Sequence, residues 1–179
     1  ITVTATAGQS KEYVSADPVY TYPITIGGPL PTGDSFTGLL DRAAGENIGT
    51  TYAIGLGTLS AGTNYNITFA PNNFAITAKP ITVTATAGQS KVYGSANPAY
   101  AYTITNGGPL KAGDSFTGLL DRAAGENTGT TYSIGLGTLS AGTNYNITFA
   151  PNNFAITPAI LTITADGKEK FVNAVNPPL

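Results

Sequence analysis

Apolar and polar residues alternate along this chain in short stretches, separated by breaks rich in Gly, Pro and Asn. Ile1-Thr2-Val3-Thr4-Ala5-Thr6 has period two, which places Ile1, Val3 and Ala5 on the inward face of a half-buried strand. Ala7-Gly8-Gln9-Ser10 breaks it. After Asp17-Pro18, Val19 to Ile24 reads as a second strand ending at the turn Gly27-Gly28-Pro29. Asp34 to Leu40 is a third extended segment, and Thr50 to Leu56 a fourth with Tyr52 and Ile54 inward. Asp41 to Asn47 reads as a loop in preference to a strand end or a single helical turn, because Gly45 and Gly49 limit any helix. The cleanest alternation is Asn64-Tyr65-Asn66-Ile67-Thr68-Phe69, with Tyr65, Ile67 and Phe69 on one face. Pro71-Asn72-Asn73 then turns the chain into Phe74-Ala75-Ile76-Thr77, a hairpin. Six strands and no helix predict an all-β unit, an Ig-like antiparallel β-sandwich. A β-grasp-like sheet is the alternative if Leu40 to Glu46 is helical.

The pattern then repeats. Residues 1–77 and 81–157 align without a gap at an offset of 80 and differ at only eleven positions (12, 14, 17, 19, 21, 23, 26, 31, 32, 48 and 53). A fixed period of this length marks a repeat architecture. The expected division is a first repeat over 1–80, a second over 81–160, and the first strand and start of a truncated third over 161–179. The ends are expected to fall inside a longer array. The differences test the strands: Tyr20, Tyr22 and Ile24 are kept as Tyr100, Tyr102 and Ile104, whereas Val19/Ala99, Thr21/Ala101 and Pro23/Thr103 change. Changes of one parity predict one buried and one exposed face. Pro23 cannot donate to a ladder, so this strand is expected at a sheet edge or bulged there.

No Gly/Ser linker separates the copies. Phe74 to Thr77 runs through Ala78-Lys79-Pro80 into Ile81-Thr82-Val83-Thr84, an extended segment of roughly ten residues that would span ~33 Å. A short junction containing Pro predicts restricted motion and an elongated rod. Leu161-Thr162-Ile163-Thr164 matches Ile81 to Thr84; after a one-residue deletion Lys170-Phe171-Val172-Asn173 matches Lys91-Val92-Tyr93-Gly94, and Asn176-Pro177 matches Asn97-Pro98. A lone strand is unstable in water, so this segment is expected to cover an edge of repeat two, with strand addition to another chain as the alternative.

Composition removes several function classes. Charged residues make up only 10% of the chain, the net charge is −2 and no basic run exists, so nucleic acid is not an expected partner. No apolar run approaches the ~18 residues of a membrane span. Cys, His, Met and Trp are all absent, which excludes a disulfide framework, a Ser-His-Asp triad, a Cys nucleophile and His-containing zinc sites.

What remains is carboxylate chemistry. Asp41 with Glu46, copied as Asp121 with Glu126, is the candidate pair for glycoside hydrolysis; without a Trp platform, and repeated along a rod, it reads as a surface charge cluster with Arg42, and no catalytic residue is assigned. Asp34, Asp41 and Glu46 are the only acids kept in both full repeats, and no Asp-x-Asp-x-Asp-Gly loop supports a calcium site, so neither a metal nor a cofactor is expected. Tyr20, Tyr22, Tyr52, Tyr65, Phe69 and Phe74 fall on inward faces and read as core rather than as a carbohydrate platform; Tyr13 and Tyr93, near a turn, are the exceptions. Asn66-Ile67-Thr68 and Asn146-Ile147-Thr148 fit a glycosylation pattern that such composition produces by chance. Lys11, Lys91 and Lys170 occupy equivalent places; exposed lysines capping an edge are the simpler account beside a Lys–Asn isopeptide bond.

The run Lys91-Val92-Tyr93-Gly94-Ser95-Ala96-Asn97-Pro98, with Phe116-Thr117-Gly118, Arg122-Ala123-Ala124-Gly125-Glu126-Asn127 and Tyr145-Asn146-Ile147-Thr148, resembles the bacterial MBG domain of the YGX type. The resemblance covers both full repeats and the start of the third. Repeat one departs from it with Val14 in place of the motif's Gly, and Gly49-Thr50-Thr51-Tyr52 carries one Thr more than the usual Gly-Thr-Tyr. A Gly-x-Tyr pattern before a strand is similar to a tyrosine corner. The resemblance implies an extracellular tandem module of large, adhesin-like bacterial surface proteins: a non-enzymatic stalk or spacer that projects a distal functional domain. The expected partners are neighbouring repeats of the same chain. The alternatives are a self-associating filament or biofilm module with homophilic strand pairing between chains, and a carbohydrate-binding module.

Overall fold

A computed structural model describes residues 1–176 and Pro178. Repeat one contains β1 (Thr2–Thr4), β2 (Ser10–Glu12), β3 (Ile24–Ile26), β4 (Asp41–Arg42), β5 (Thr51–Gly55), β6 (Thr68–Ala70) and β7 (Asn73–Thr77). Repeat two contains β8 (Lys79–Ala85), β9 (Gln89–Val92), β10 (Tyr102–Asn106), β11 (Asp121–Arg122), β12 (Thr131–Gly135), β13 (Tyr145–Ala150) and β14 (Asn153–Thr157). The fold is all-β, with no helix among the described residues; Leu40 to Glu46 is a short strand followed by a loop.

Each repeat has two sheets. In repeat one the order is β3-β1-β6 in a three-stranded sheet and β2-β7-β5-β4 in a four-stranded one; repeat two has the same pair, β10-β8-β13 and β11-β12-β14-β9. The sheets are mixed, which departs from the purely antiparallel expectation. β1 pairs with β6 in parallel, and β2 with β7 in parallel; the other ladders are antiparallel. Alternation explains how they pack. Val3 and Ala5 point inward from one sheet, and Tyr52, Ile54, Phe74 and Ile76 from the other; all are buried in one core. Tyr20 meets Phe74 edge-on, with ring centroids 5.3 Å apart. Burying each large apolar side chain is worth about 1.5–3 kcal/mol, and the outward positions between them are the small residues Thr4, Ala53 and Ala75.

The hairpin expected around Pro71-Asn72-Asn73 does not form, because β6 and β7 belong to different sheets. Phe69 and Phe74 both pack towards the core, and they do so from opposite sides. A hairpin would have placed them side by side. Asn72 makes the crossing: its carbonyl accepts the Ile54 N–H at 2.8 Å and its side-chain amide donates to Ala5 O at 3.4 Å.

The parity of the copy differences matches the structure: positions 19, 21 and 23 are exposed, Tyr20 is buried, and Tyr22 and Ile24 are half-buried. β3 is an edge strand, as Pro23 requires. The register shift beside it occurs in both copies, so Pro23 does not cause it. Pro23 instead shortens the strand: β3 starts at Ile24, whereas Thr103 lets β10 start at Tyr102.

The segment after β14 corrects another expectation. From Pro158 to Asn176 every residue is exposed and none joins a ladder, so it covers no edge of repeat two. Of the match to a third repeat, Pro177 and Leu179 lie outside the described residues. The reason is topological. Leu161 to Thr164 correspond to β1 and β8, the central strands of their sheets, and a central strand needs a neighbour on each side. The turn that follows does form: Ala174 N–H donates to Phe171 O at 3.0 Å, with Asn173 at φ 68°, as Ser95 N–H donates to Val92 O at 3.1 Å around Gly94 at φ 81°. Turns are local, and strands are not. Trypsin should therefore cleave after Lys168 and Lys170 well before any site in residues 1–157. Mass spectrometry of a limited digest checks this, and early cleavage after Arg42 or Arg122 would contradict it.

Candidate functional site at the joint between repeats

A single residue, Ala78, separates β7 from β8. Strand β7 lies between β2 and β5 in repeat one, and β8 is the central strand of the three-stranded sheet in repeat two. The backbone thus passes from one ladder into the next with ladder pairing at Thr77 and Lys79, one residue to either side.

Side chains close the joint. A turn in which Ser15 N–H donates to Glu12 O at 3.1 Å presents Tyr13 to repeat two. Its hydroxyl donates to Asp114 Oδ2 at 2.9 Å, and the Tyr145 hydroxyl donates to the same oxygen at 2.7 Å. The two rings meet edge-on, centroids 5.4 Å apart and planes at 85°, the arrangement that the ring quadrupoles favour. Tyr145 Oη also accepts the Lys111 N–H at 2.8 Å, and the Lys111 ammonium lies 5.3 Å from the Tyr13 ring centroid. Beside them Asn144 Oδ1 accepts the Ile48 N–H at 3.3 Å, and Asn144 O accepts the Lys79 N–H at 3.0 Å. Burial, reinforced by the hydrogen bond to Asp114, raises the Tyr13 phenol above its ordinary pKa; burial and the same carboxylate raise that of Tyr145, against the Lys111 N–H. Both remain neutral donors.

The same sequence behaves differently away from the joint. Tyr13 is 4% exposed, but its copy Tyr93 is 55% exposed. Tyr145 is buried, whereas Tyr65 is half-buried and donates only to Asp34. Tyr65 to Ile67 lie outside any ladder, although Tyr145 to Ile147, identical to them, belong to β13, where Lys79, Pro80 and Ile81 pair with them. Position 31 sharpens the contrast: Pro31 has no N–H to give Tyr65 and no ammonium, and Lys111 supplies both to its surroundings.

A family profile described as MBG domain (YGX type) matches residues 1–75 and again 81–155. The chain belongs to this family. No similar curated protein and no similar solved structure was found. The Tyr-Gly motif of the MBG repeat has a clear place in the geometry. Its Tyr is Tyr13 at the joint and the exposed copy Tyr93, and its Gly holds the left-handed position of the turn that follows. Repeat one forces Val14 into that position at φ 73°, which costs a β-branched residue about 1–2 kcal/mol. The extra Thr does not disturb the tyrosine corner: Tyr52 donates to Asn47 O at 2.9 Å and Tyr132 to Asn127 O at 3.1 Å.

The acids kept in both MBG repeats are not brought together. Asp34 belongs to the start face with Tyr65, Asp41 lies on β4 against Gly55, and Glu46 joins a charge cluster. No group of three metal-ligating side chains occurs among the described residues. In that cluster Lys11 Nζ lies 2.6 Å from Asp17 Oδ1 and 2.8 Å from Glu46 Oε2. Arg42 grips Asp17 with two nitrogens at 2.7 and 3.0 Å and reaches Glu46 at 2.6 Å. Its guanidinium lies 5.1 Å from the Tyr52 ring centroid. Lys11 is on an edge strand as expected, yet its side chain is only 6% exposed, a correction to the exposed capping lysine. Arg42 holds Asp17 as a carboxylate, and the acids keep Lys11 protonated against the opposing effect of burial. In repeat one these groups form an ion-pair cluster. Nothing in the sequence spacing pointed to Asp17, which becomes Asn97 in repeat two.

Two outcomes follow. The hydrogen bond from Arg42 chiefly depresses Asp17, and that from Lys11 chiefly depresses Glu46. Their stabilisation is therefore complete above the unfolded carboxylate pKa of about 4 and fades as pH falls through the lower folded values. Asp17→Asn should cost repeat one about 1 kcal/mol or less at pH 7, given its partial exposure, and nothing once acid has protonated both states; urea unfolding across this range checks it. Tyr13→Ala removes the cross-joint ring pair and hydrogen bond, for about 2 kcal/mol, and should split unfolding into two transitions. The same change at exposed Tyr93 should stay within about 0.5 kcal/mol.

Proposed function

We propose that these MBG repeats are a non-enzymatic spacer of a bacterial surface protein, holding a distal functional domain away from the cell. The observation that carries this reading is the joint. A hinge needs backbone free to rotate, and here one residue lies between two ladders while Tyr13, Asp114 and Tyr145 fasten the faces around it. Head-to-tail repetition of such a joint makes length without bending. The family and its tandem arrangement support an extracellular position. A carbohydrate-binding reading has less support, because Tyr20, Tyr52 and Phe74 are buried in the core.

The chain has no cysteine, so Thr63→Cys with Thr143→Cys offers two unique labelling sites on exposed loops. Electron–electron distance measurements between spin labels there should give one narrow distribution, broadened by Tyr13→Ala. A broad distribution without the Tyr13 change would sink the semi-rigid spacer.

A further inference from the structure

Two segments carry repeat one to the joint, and the charge cluster holds them to each other. One is the turn that presents Tyr13, with Lys11 on the strand before it and Asp17 after it. The other is the loop that leaves β4 at Arg42, passes Glu46 and reaches Ile48. Each segment contributes one cation and one acid, and the pairs Lys11–Glu46 and Arg42–Asp17 cross between them. Backbone contacts complete the frame. Arg42 Nη1 donates to Ala43 O at 3.0 Å and to Gly45 O at 2.6 Å, which curls the loop around the guanidinium. Gly45 lies so close to the Tyr52 ring that a Cβ would collide with it, and Tyr52 Oη donates to Asn47 O at 2.9 Å. The next residue is Ile48, whose N–H crosses to Asn144. On the other segment Tyr13 N–H donates to Thr77 O at 2.8 Å, at the end of the strand that leads into the joint.

We infer that Asp17 and Arg42 are positioning residues for the joint, fixing the angle at which Tyr13 and Ile48 are presented together to repeat two. Their own hydrogen bonds all stay inside repeat one, so they act through the two segments and not by contact with Asp114, Tyr145 or Asn144. A bidentate guanidinium–carboxylate pair suits this task, because its two parallel bonds set an orientation as well as a distance.

The copy difference at position 17 shows what the carboxylate adds. In repeat two Asn97 offers one oxygen where Asp17 offers two. Arg122 donates to Asn97 Oδ1 through both Nε and Nη2, at 3.3 and 3.0 Å, and Lys91 Nζ donates to Ser95 O at 2.9 Å. Tyr100 Oη is buried without a partner, whereas its counterpart Tyr20 donates to Asp17 Oδ2 at 2.7 Å. Lys91 and Arg122 still pair with Glu126. The amide therefore keeps the fold and the loop half of the cluster, and it loosens the grip of the arginine on the turn half. This inference rests on the semi-rigid spacer reading, since positioning matters only at a joint that holds its angle.

Asp17→Asn tests it, because repeat two already folds with the amide at this position. In the Thr63→Cys, Thr143→Cys spin-labelled chain, Asp17→Asn should raise the population outside the main distance about three- to fivefold. The opposite exchange in repeat two, Asn97→Asp, lies away from the joint and should leave that distribution unchanged. A label pair within repeat one, at the exposed positions 19 and 63 (Val19→Cys with Thr63→Cys), should stay narrow in the Asp17→Asn chain. A joint distribution that stays as narrow with Asp17→Asn as without it overturns the inference and leaves the spacer reading standing. Broadening of the pair within repeat one also overturns it, because the change would then act on the repeat itself. A broad distribution across the joint before Asp17 is changed removes the spacer reading and this inference with it.

Discussion

The first strand of each repeat is the central strand of a three-stranded sheet, and the rest of the structure depends on that placement. β1 is gripped on one side by β3, from the first third of the repeat, and on the other by β6, from near its end. A repeat can therefore close only when its last third arrives. The same demand makes the ladder between first and penultimate strands parallel, since both run away from the same end. It also explains why the segment after β14 carries a recognisable strand sequence and no strand. Among the described residues neither neighbour pairs with that strand.

Central placement also creates the joint. Because β8 is held on both sides within repeat two, and β7 on both sides within repeat one, the single residue between them inherits two fixed frames. The faces around it then have little freedom, and a few side chains suffice to fasten them. Asp114 does so by accepting two phenols, one from each repeat. A carboxylate shared by neutral donors is satisfied without a cation, in a chain with few charges to spare. Lys111 contributes from the side, through its N–H and through its ammonium over the ring.

Alternation was readable in the residues themselves: Val3, Ala5, Tyr52, Ile54 and Phe74 are buried where period two placed them. So was the face of β3, from the parity of differences between copies. The strand β2 was not readable, because Ser10-Lys11-Glu12 has no apolar alternation and owes its place to a parallel partner, β7. The role of Tyr13 was half readable. Its position near a turn separated it from the core aromatics, but no local signal says that the turn faces another repeat. Asp17 was invisible as a partner of Arg42, since the two are 25 positions apart in the chain.

By itself the sequence determined the period, the all-β character, the inward side of each alternating strand and the left-handed turn at the Tyr-Gly motif. These are local consequences of side-chain spacing and backbone freedom, and they survive even in the exposed segment after β14, where the turn at Asn173 still forms. Tertiary structure decided which strands pair, that the sheets are mixed, and which of two identical tyrosines is buried. Tyr13 and Tyr93 share a chemistry and a turn, and only one has a neighbour. Pairing and burial belong to contacts between residues far apart in the chain, and those exist only once the faces meet.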